Sequence, residues 1–121
     1  MKTRMYPLLA ILMLLCCFTA AYGQVFQTGT FNADRTIPNF SLDQGSGERT
    51  ATIEVTFEKP FEAKPVVAVS VNTIDAAKES NTRYTVKAIS ISRDGFVVQI
   101  RTWADSKIFQ IGGSWIAYAS K

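Results

Sequence analysis

The stretch ATIEVTF, residues 51–57, alternates apolar and polar side chains over its whole length. Every second residue from Ala51 to Phe57 is apolar, and the residues between them are threonine or glutamate. A period of two places these two sets on opposite faces of an extended chain. The sequence therefore predicts a β-strand with one face in a core and the other in water.

The chain on either side continues in the same way. Pro60 and Pro65 mark a break after the first strand. The segments with strand-like patterns after that break are VVAVSVNTI (66–74), RYTVKAISI (83–91), FVVQIRTW (96–103) and KIFQIGGSWIAYA (107–119). Asp94-Gly95 is a hairpin dipeptide, and residues 75–82 are polar and typical of a turn.

The part of the chain before residue 50 is harder to assign. TGTFNA (28–33) is a candidate strand, and LDQGSGER (42–49) is typical of a loop. No segment sustains a helical period, and several short strands at this spacing favour an all-β fold, an antiparallel β-sandwich or barrel of about six strands.

The N-terminus has the features of an export signal. Lys2 and Arg4 precede an apolar run from Leu8 to Phe18, and small residues follow it up to Gly23. The run is shorter than the roughly 20 apolar residues that span a bilayer, so a retained anchor is the less favoured alternative. We expect residues 1–23 to be a secretory signal peptide and the mature chain to be extracellular, without membrane insertion. Residues 24–49 then form the N-terminal segment and loop of the single domain whose main part is 50–121.

The composition of the mature chain disfavours most enzyme chemistry. The sequence has no histidine, and its two cysteines, Cys16 and Cys17, lie in the expected signal. A histidine-based triad, a cysteine nucleophile, a usual zinc site and a haem are therefore excluded or disfavoured. The acidic residues that could form a catalytic pair lie in turn-like segments, where solvation or capping is commoner; they are Asp43, Glu48, Asp75 and Asp105. We expect a binding protein without metal or cofactor, not an enzyme.

The charge balance also limits the choice of partner. Of 13 Lys and Arg, two precede residue 24, which leaves 11 cationic side chains against 10 Asp and Glu. Such a balance gives no polybasic face for nucleic acid or for a membrane surface.

Four segments in order resemble the H-type lectin domain. They are TFEKPFEAKPVVAVSVNTID (56–75), NTR (81–83), ISRDGFVVQIRTWADSKIF (91–109) and SWIAY (114–118). That family includes snail agglutinins that bind N-acetylgalactosamine and the C-terminal domain of slime-mould discoidins. The resemblance runs from Thr50 to Tyr118 and implies a small antiparallel β-sandwich. It also implies three protomers side by side, with a sugar in each cleft between neighbours.

The resemblance also implies a set of sugar-binding residues. Arg83 corresponds to the arginine that hydrogen-bonds the sugar hydroxyls, and Trp103 to an aromatic residue that lines the cleft. Phe109 stands where snail members have a tyrosine, whereas Trp115 is assigned to the core or a trimer contact. These residue types suit a pyranose, because an aromatic ring covers its C–H face while an arginine and a carboxylate hold its hydroxyls.

The acidic member of the site is not fixed by the resemblance. It comes from the loop before the first matched strand, where Asp43 is our choice and Ser46 and Glu48 are the alternatives. Two departures remove polar contacts: Ala104 replaces a histidine that reaches the neighbouring chain's sugar in a snail homologue, and Phe109 lacks the tyrosine hydroxyl. The exact sugar therefore does not transfer directly.

The sequence as a whole predicts a secreted lectin. The expected ligands are glycans with terminal galactose or N-acetylgalactosamine, and the expected assembly is a homotrimer or hexamer. The main alternative is a structural or protein-binding β-sandwich that has lost sugar binding, because fold does not determine function. A hydrolase with paired carboxylates is a remote third possibility.

Overall fold

The computed structural model describes residues 24–120, and within that range it contains six β-strands and no helix. The strands are β1 (Gln24–Ala33), β2 (Arg49–Thr56), β3 (Val66–Ala76), β4 (Tyr84–Ile89), β5 (Gly95–Thr102) and β6 (Ile108–Ser120). They form two antiparallel three-stranded sheets, with the orders β1-β6-β3 and β2-β5-β4. This confirms the all-β sandwich expected from the sequence.

The two central strands determine how the sheets pack. Side chains of β5 alternate strictly between buried and half-buried positions, so Phe96, Val98 and Ile100 point into the sandwich. β6 is the longest strand and pairs with both β1 and β3. Each sheet therefore presents one apolar face to the other, as the period-two pattern requires.

An aromatic cluster lies between the sheets around Trp115. Its ring centroid is 5.2 Å from that of Phe96 in an edge-on arrangement and 5.8 Å from that of Phe57. Gly29 on β1 pairs opposite Trp115, and a Cβ atom at Gly29 would lie 2.6 Å from the indole ring. The indole thus occupies the space that a side chain at Gly29 would need, and the expectation that Trp115 is in the core is confirmed.

Two strands extend further than the sequence suggests. The candidate strand at 28–33 is the second half of β1, which runs from Gln24 and pairs with β6 over its whole length. β3 continues through Asp75 and Ala76, which the sequence places in a turn, with register shifts against β6 near Val71 and Asp75. Hydrogen bonding to the long β6 explains the extension, because the central strand supplies backbone partners that local composition cannot reveal.

The expected signal peptide, residues 1–23, lies outside the described residues. Within residues 24–120 no helix is long and apolar enough to cross a membrane.

Two loops meet at one end of the sandwich. The β1–β2 loop comprises residues 34–48, and the β5–β6 loop comprises residues 103–107. β5 ends here while β2, β4 and β6 begin, because neighbouring antiparallel strands reverse direction. This end gathers Trp103 and Phe109 with Arg83, which precedes Trp103 by 20 residues in the sequence.

Candidate functional site

Arg83 is held in place by its backbone rather than by its side chain. Its N–H donates to the Ser106 hydroxyl at 2.8 Å, and its carbonyl accepts from the Thr102 hydroxyl at 2.6 Å. The Ser106 hydroxyl in turn donates to the Asn81 carbonyl at 2.6 Å. Thr102 and Ser106 are completely buried, so these bonds fix the start of β4 against the β5–β6 loop.

The Arg83 side chain forms an ion pair at the surface with Asp105. Nη1 of Arg83 lies 3.0 Å from Oδ1 of Asp105, and the two side chains are 42% and 58% exposed. Because both charges remain in contact with solvent, the pair adds little stability. A guanidinium beside a carboxylate does, however, offer donors and acceptors together, which is what a ligand hydroxyl requires.

Trp103 is half-buried directly after β5, and a cation lies over its ring. Cζ of Arg101 is 5.5 Å from the ring centroid, within the range of a cation–π interaction. Glu48 fixes that guanidinium from the end of the β1–β2 loop: Nε lies 2.9 Å from Oε1, and Nη2 donates to Oε2 at 3.1 Å. Glu48, one of the alternative acids, is thus engaged with Arg101.

Asp43, our choice for the acid, is not presented at the protomer surface. Its side chain is 0% exposed, and Oδ2 accepts from Nε of Arg35 at 2.5 Å. Oδ1 is buried and has no hydrogen-bond partner among residues 24–120. Ser46, the other alternative, is exposed in the same loop. The structure therefore places Arg83 next to the β5–β6 loop, which carries Trp103. It does not place the Asp43 carboxylate where a ligand could reach it.

Phe109 lies on the second residue of β6 and is 40% exposed. Its neighbour Ile108 is fully buried and donates its N–H to the Leu42 carbonyl at 2.9 Å. Phe109 is thus anchored through the backbone beside it and keeps part of its ring at the surface, which leaves it available for an apolar contact.

Ala104 has a backbone conformation that costs energy for any residue with a Cβ atom. Its φ is 58°, in the left-handed region. Its carbonyl accepts from the Gly47 N–H at 2.9 Å and from Nη2 of Arg49 at 3.0 Å. The conformation therefore serves to direct this carbonyl at the β1–β2 loop.

Changing Ala104 to glycine is expected to raise the free energy of unfolding by about 0.5–1 kcal/mol. The gain is the relief of left-handed strain less the greater chain entropy of glycine in the unfolded state. Urea denaturation monitored by circular dichroism measures the effect. Ala88→Gly, in a strand, serves as the control and should lower stability; a loss of stability in Ala104→Gly would contradict the strain argument.

Sequence reasoning missed two residues that shape this end of the sandwich. Arg49 donates to backbone carbonyls of both loops, and Ser106 supplies the hydroxyl that holds Arg83. Their partners are backbone groups, which have no signature in the sequence. The only signal was an arginine at the start of a strand that otherwise alternates apolar residues with threonine and glutamate.

The described residues contain no arrangement suited to a metal ion. Among residues 24–120, no group of three or more His, Cys, Asp or Glu side chains is placed to hold a metal ion. At this end of the sandwich, a ligand could form hydrogen bonds with the charged side chains of Arg83 and Asp105 and apolar contacts with the Trp103 ring.

Relatives of known sequence match most of the chain. A discoidin-1 polypeptide of Dictyostelium discoideum is 33% identical over 82 residues, covering 67% of this chain and 32% of its own length. A Fuscovulum blasticum protein named ATP synthase subunits region ORF 7 is 33% identical over 76 residues, covering 63% of this chain and 66% of its own. The chain thus spans about a third of the discoidin and just under two thirds of the other protein.

Solved structures of a discoidin and a family model also match this chain. Two structures of discoidin II from Dictyostelium discoideum superpose with TM-scores of 0.72 and 0.73, at 24% and 25% identity, covering 82% of this chain and 38% of theirs. The H-type lectin domain model matches residues 52–118, more than half of the sequence. The chain belongs to the H-type lectin domain family.

Proposed function

We propose that this chain is a secreted lectin that binds terminal galactose or N-acetylgalactosamine at the end of the sandwich formed by the β1–β2 and β5–β6 loops. Membership of the family supports carbohydrate binding. The observation that carries the proposal for this chain is the exposed ion pair of Arg83 with Asp105, which lies on the same loop as Trp103.

The Arg83–Asp105 pair suits the hydroxyl groups of a pyranose, and the Trp103 ring suits its C–H face. A sugar hydroxyl can donate to a carboxylate oxygen of Asp105 while it accepts from the Arg83 guanidinium. Each contact is charge-assisted and directional, so the pair can distinguish hydroxyls by their orientation. Trp103 and Phe109 offer apolar ring surface for the C–H face of the sugar. We therefore assign Asp105 as the accessible acid, and Asp43 as an anchor that binds Arg35 within the β1–β2 loop.

Calorimetric titration with N-acetylgalactosamine and with galactose tests the proposal. Saturable binding to at least one sugar at millimolar concentration or below is expected, because single shallow lectin sites are weak and gain strength by avidity. Glucose, which differs from galactose in the orientation of one hydroxyl, is the matched control. Equal affinities for galactose and glucose would contradict the role given to the Arg83–Asp105 pair.

Assembly into trimers is part of the proposal, and the outer face of the β1-β6-β3 sheet supports it. Three large apolar side chains on that face are 37–54% exposed: Phe26, Val66 and Ile116. They sit on adjacent strands, since Phe26 and Val66 both pair with Tyr118, two residues from Ile116. A contiguous apolar patch of this kind is typical of an interface between subunits.

Replacing Ile116 with glutamate should dissociate the assembly, because a charge would be buried at the contact without a partner. Sedimentation velocity measures the mass: a trimer or hexamer is expected for the wild type and a monomer for Ile116→Glu. Thr52→Glu, on the outer face of the other sheet, is the control and should leave the mass unchanged. A wild type that sediments as a monomer would exclude the trimer.

Secretion is tested by producing the protein from its full coding sequence. The expected product is found in the culture medium and has the mass of a chain beginning at Gln24, after loss of the apolar segment. A cell-associated product with the mass of the uncut chain would contradict both the signal and its cleavage site.

A structural or protein-binding module is the second candidate function. The burial of Asp43 and the absence of a side chain beyond Cβ at Ala104 favour it, because both reduce the polar groups available to a sugar. A glycan array separates the two candidates: folded protein that binds no glycan on the array would favour the protein-binding module.

A further inference from the structure

The β1–β2 loop and the β5–β6 loop are bonded to each other as one unit. The Gly47 N–H donates to the Ala104 carbonyl at 2.9 Å, and the N–H of Ile108, the first residue of β6 after the β5–β6 loop, donates to the Leu42 carbonyl at 2.9 Å. Neither loop is part of a sheet, so these contacts determine where Trp103 and Asp105 stand.

The guanidinium of Arg49 lies between the two loops, with five backbone carbonyls within hydrogen-bond distance of its three nitrogens. On the β1–β2 side the acceptors are the carbonyls of Gly47 (3.0 Å), Gln44 (2.8 Å) and Leu42 (3.4 Å). On the β5–β6 side they are the carbonyls of Ser106 (2.8 Å) and Ala104 (3.0 Å). One side chain thus contacts both loops that frame the proposed site.

Only arginine has the geometry for this set of contacts. Its planar guanidinium carries five N–H groups in a fixed fork, whereas a lysine ammonium is a single point with three donors. No salt bridge links Arg49 to an acidic group within residues 24–120, so its charge is balanced by carbonyl dipoles. Loss of the guanidinium would take away the donor to the carbonyls of Gln44, Gly47 and Ser106. The cost is greatest at Ser106, where the hydrogen bond is partly buried.

We infer that Arg49 is a positioning residue for the sugar site, an inference that rests on the function proposed above. Arg49 does not contact the sugar. It fixes the β5–β6 loop against the β1–β2 loop, so that Asp105 meets Arg83 and the Trp103 ring keeps its orientation. Binding groups must be held to within about half an ångström to be effective, so a loosened loop weakens binding even when every contacting residue is present.

The experiment compares Arg49→Met and Arg49→Lys with the wild type, each made from the full coding sequence and purified in its processed form. Affinity for N-acetylgalactosamine and galactose is measured by calorimetry, and loop order by hydrogen exchange of the Gly47 and Ile108 amides. Arg93→Met is the matched control, because Arg93 also donates to a loop carbonyl, that of Phe61 at 2.7 Å, but lies at the opposite end of the sandwich.

Arg49→Met is expected to bind at least tenfold more weakly and to exchange the Gly47 and Ile108 amides at least tenfold faster. The Ile100 amide in the core should be unchanged, which distinguishes loop loosening from global unfolding. Arg49→Lys should be intermediate, and Arg93→Met should bind within twofold of the wild type. If Arg49→Met does not fold, Arg49→Lys replaces it, with binding more than twofold weaker than wild type and faster exchange of both amides as the expected result.

Two results would overturn the inference. One is an Arg49 variant that binds within twofold of a wild type that itself binds. The other is unchanged exchange at Gly47 and Ile108. If the wild type binds neither sugar, the proposed function fails for these sugars and exchange alone decides whether Arg49 holds the loops.

Discussion

Arg83→Ala is expected to weaken binding of galactose and N-acetylgalactosamine by a factor of about 100 or more, so that no heat is detected in titration. The change removes the only cationic member of the Arg83–Asp105 pair and leaves Asp105 as an uncompensated acceptor. Hydrogen bonds to charged groups contribute about 1.5–3 kcal/mol each, and every 1.4 kcal/mol is a factor of ten.

The same change should leave the fold intact. The bonds that hold β4 to the β5–β6 loop use the backbone N–H and carbonyl of residue 83, which alanine retains. Exposed ion pairs contribute about 0–1 kcal/mol, so the unfolding midpoint should shift little. Lys87→Ala removes an exposed cation from β4, the strand that begins directly after Arg83, and serves as the control. If Arg83→Ala binds like Lys87→Ala, the sugar lies elsewhere.

Trp115→Ala is expected to lower the free energy of unfolding by about 3–5 kcal/mol, the usual cost of deleting a large aromatic side chain from a core. The indole contacts Phe57 and Phe96 and lies against Gly29, so its removal leaves a void that backbone cannot easily close. Since domains of this size are stable by about 5–15 kcal/mol, the expected loss is between about a fifth and the whole of the free energy of unfolding.

Chemical denaturation of Trp115→Ala beside Trp115→Phe measures the effect. Phenylalanine retains part of the aromatic packing and should cost less than alanine. The sequence contains two tryptophans, so these variants also isolate the fluorescence of Trp103. A loss below about 1 kcal/mol for Trp115→Ala would mean that the aromatic cluster does not support the core.

The strands and their buried faces could be predicted from the sequence because they follow from local alternation. Ala51 and Phe57 are buried, as their period-two pattern indicates, and the hairpin at Asp94-Gly95 joins β4 to β5. The choice between sandwich and barrel could not be made from alternation, because it depends on which strands pair at long range. Only the resemblance to a family supplied it.

The site was predictable only in part, for a related reason. Arg83 and Trp103 could be named because family resemblance applies to residue types at fixed spacing. The position of the loop acid could not, since a loop without periodicity gives no register that decides between Asp43, our choice, and the alternatives Ser46 and Glu48. Whether each side chain is accessible to a ligand depends on its partners in the fold: Asp43 is buried against Arg35, and Glu48 is paired with Arg101.

The pairing of the first and last strands in the sequence, β1 and β6, has a practical consequence. Gln24 lies opposite Ser120 at one end of the β1-β6 ladder, while Ile108 and the loops of the proposed site lie at the other end. At about 3.3 Å per residue, the 13 residues of β6 separate the two ends by roughly 40 Å. A tether or fused domain attached at either position would leave the loops pointing outward. A biosensor surface coated through these positions would therefore display its recognition loops to the solution.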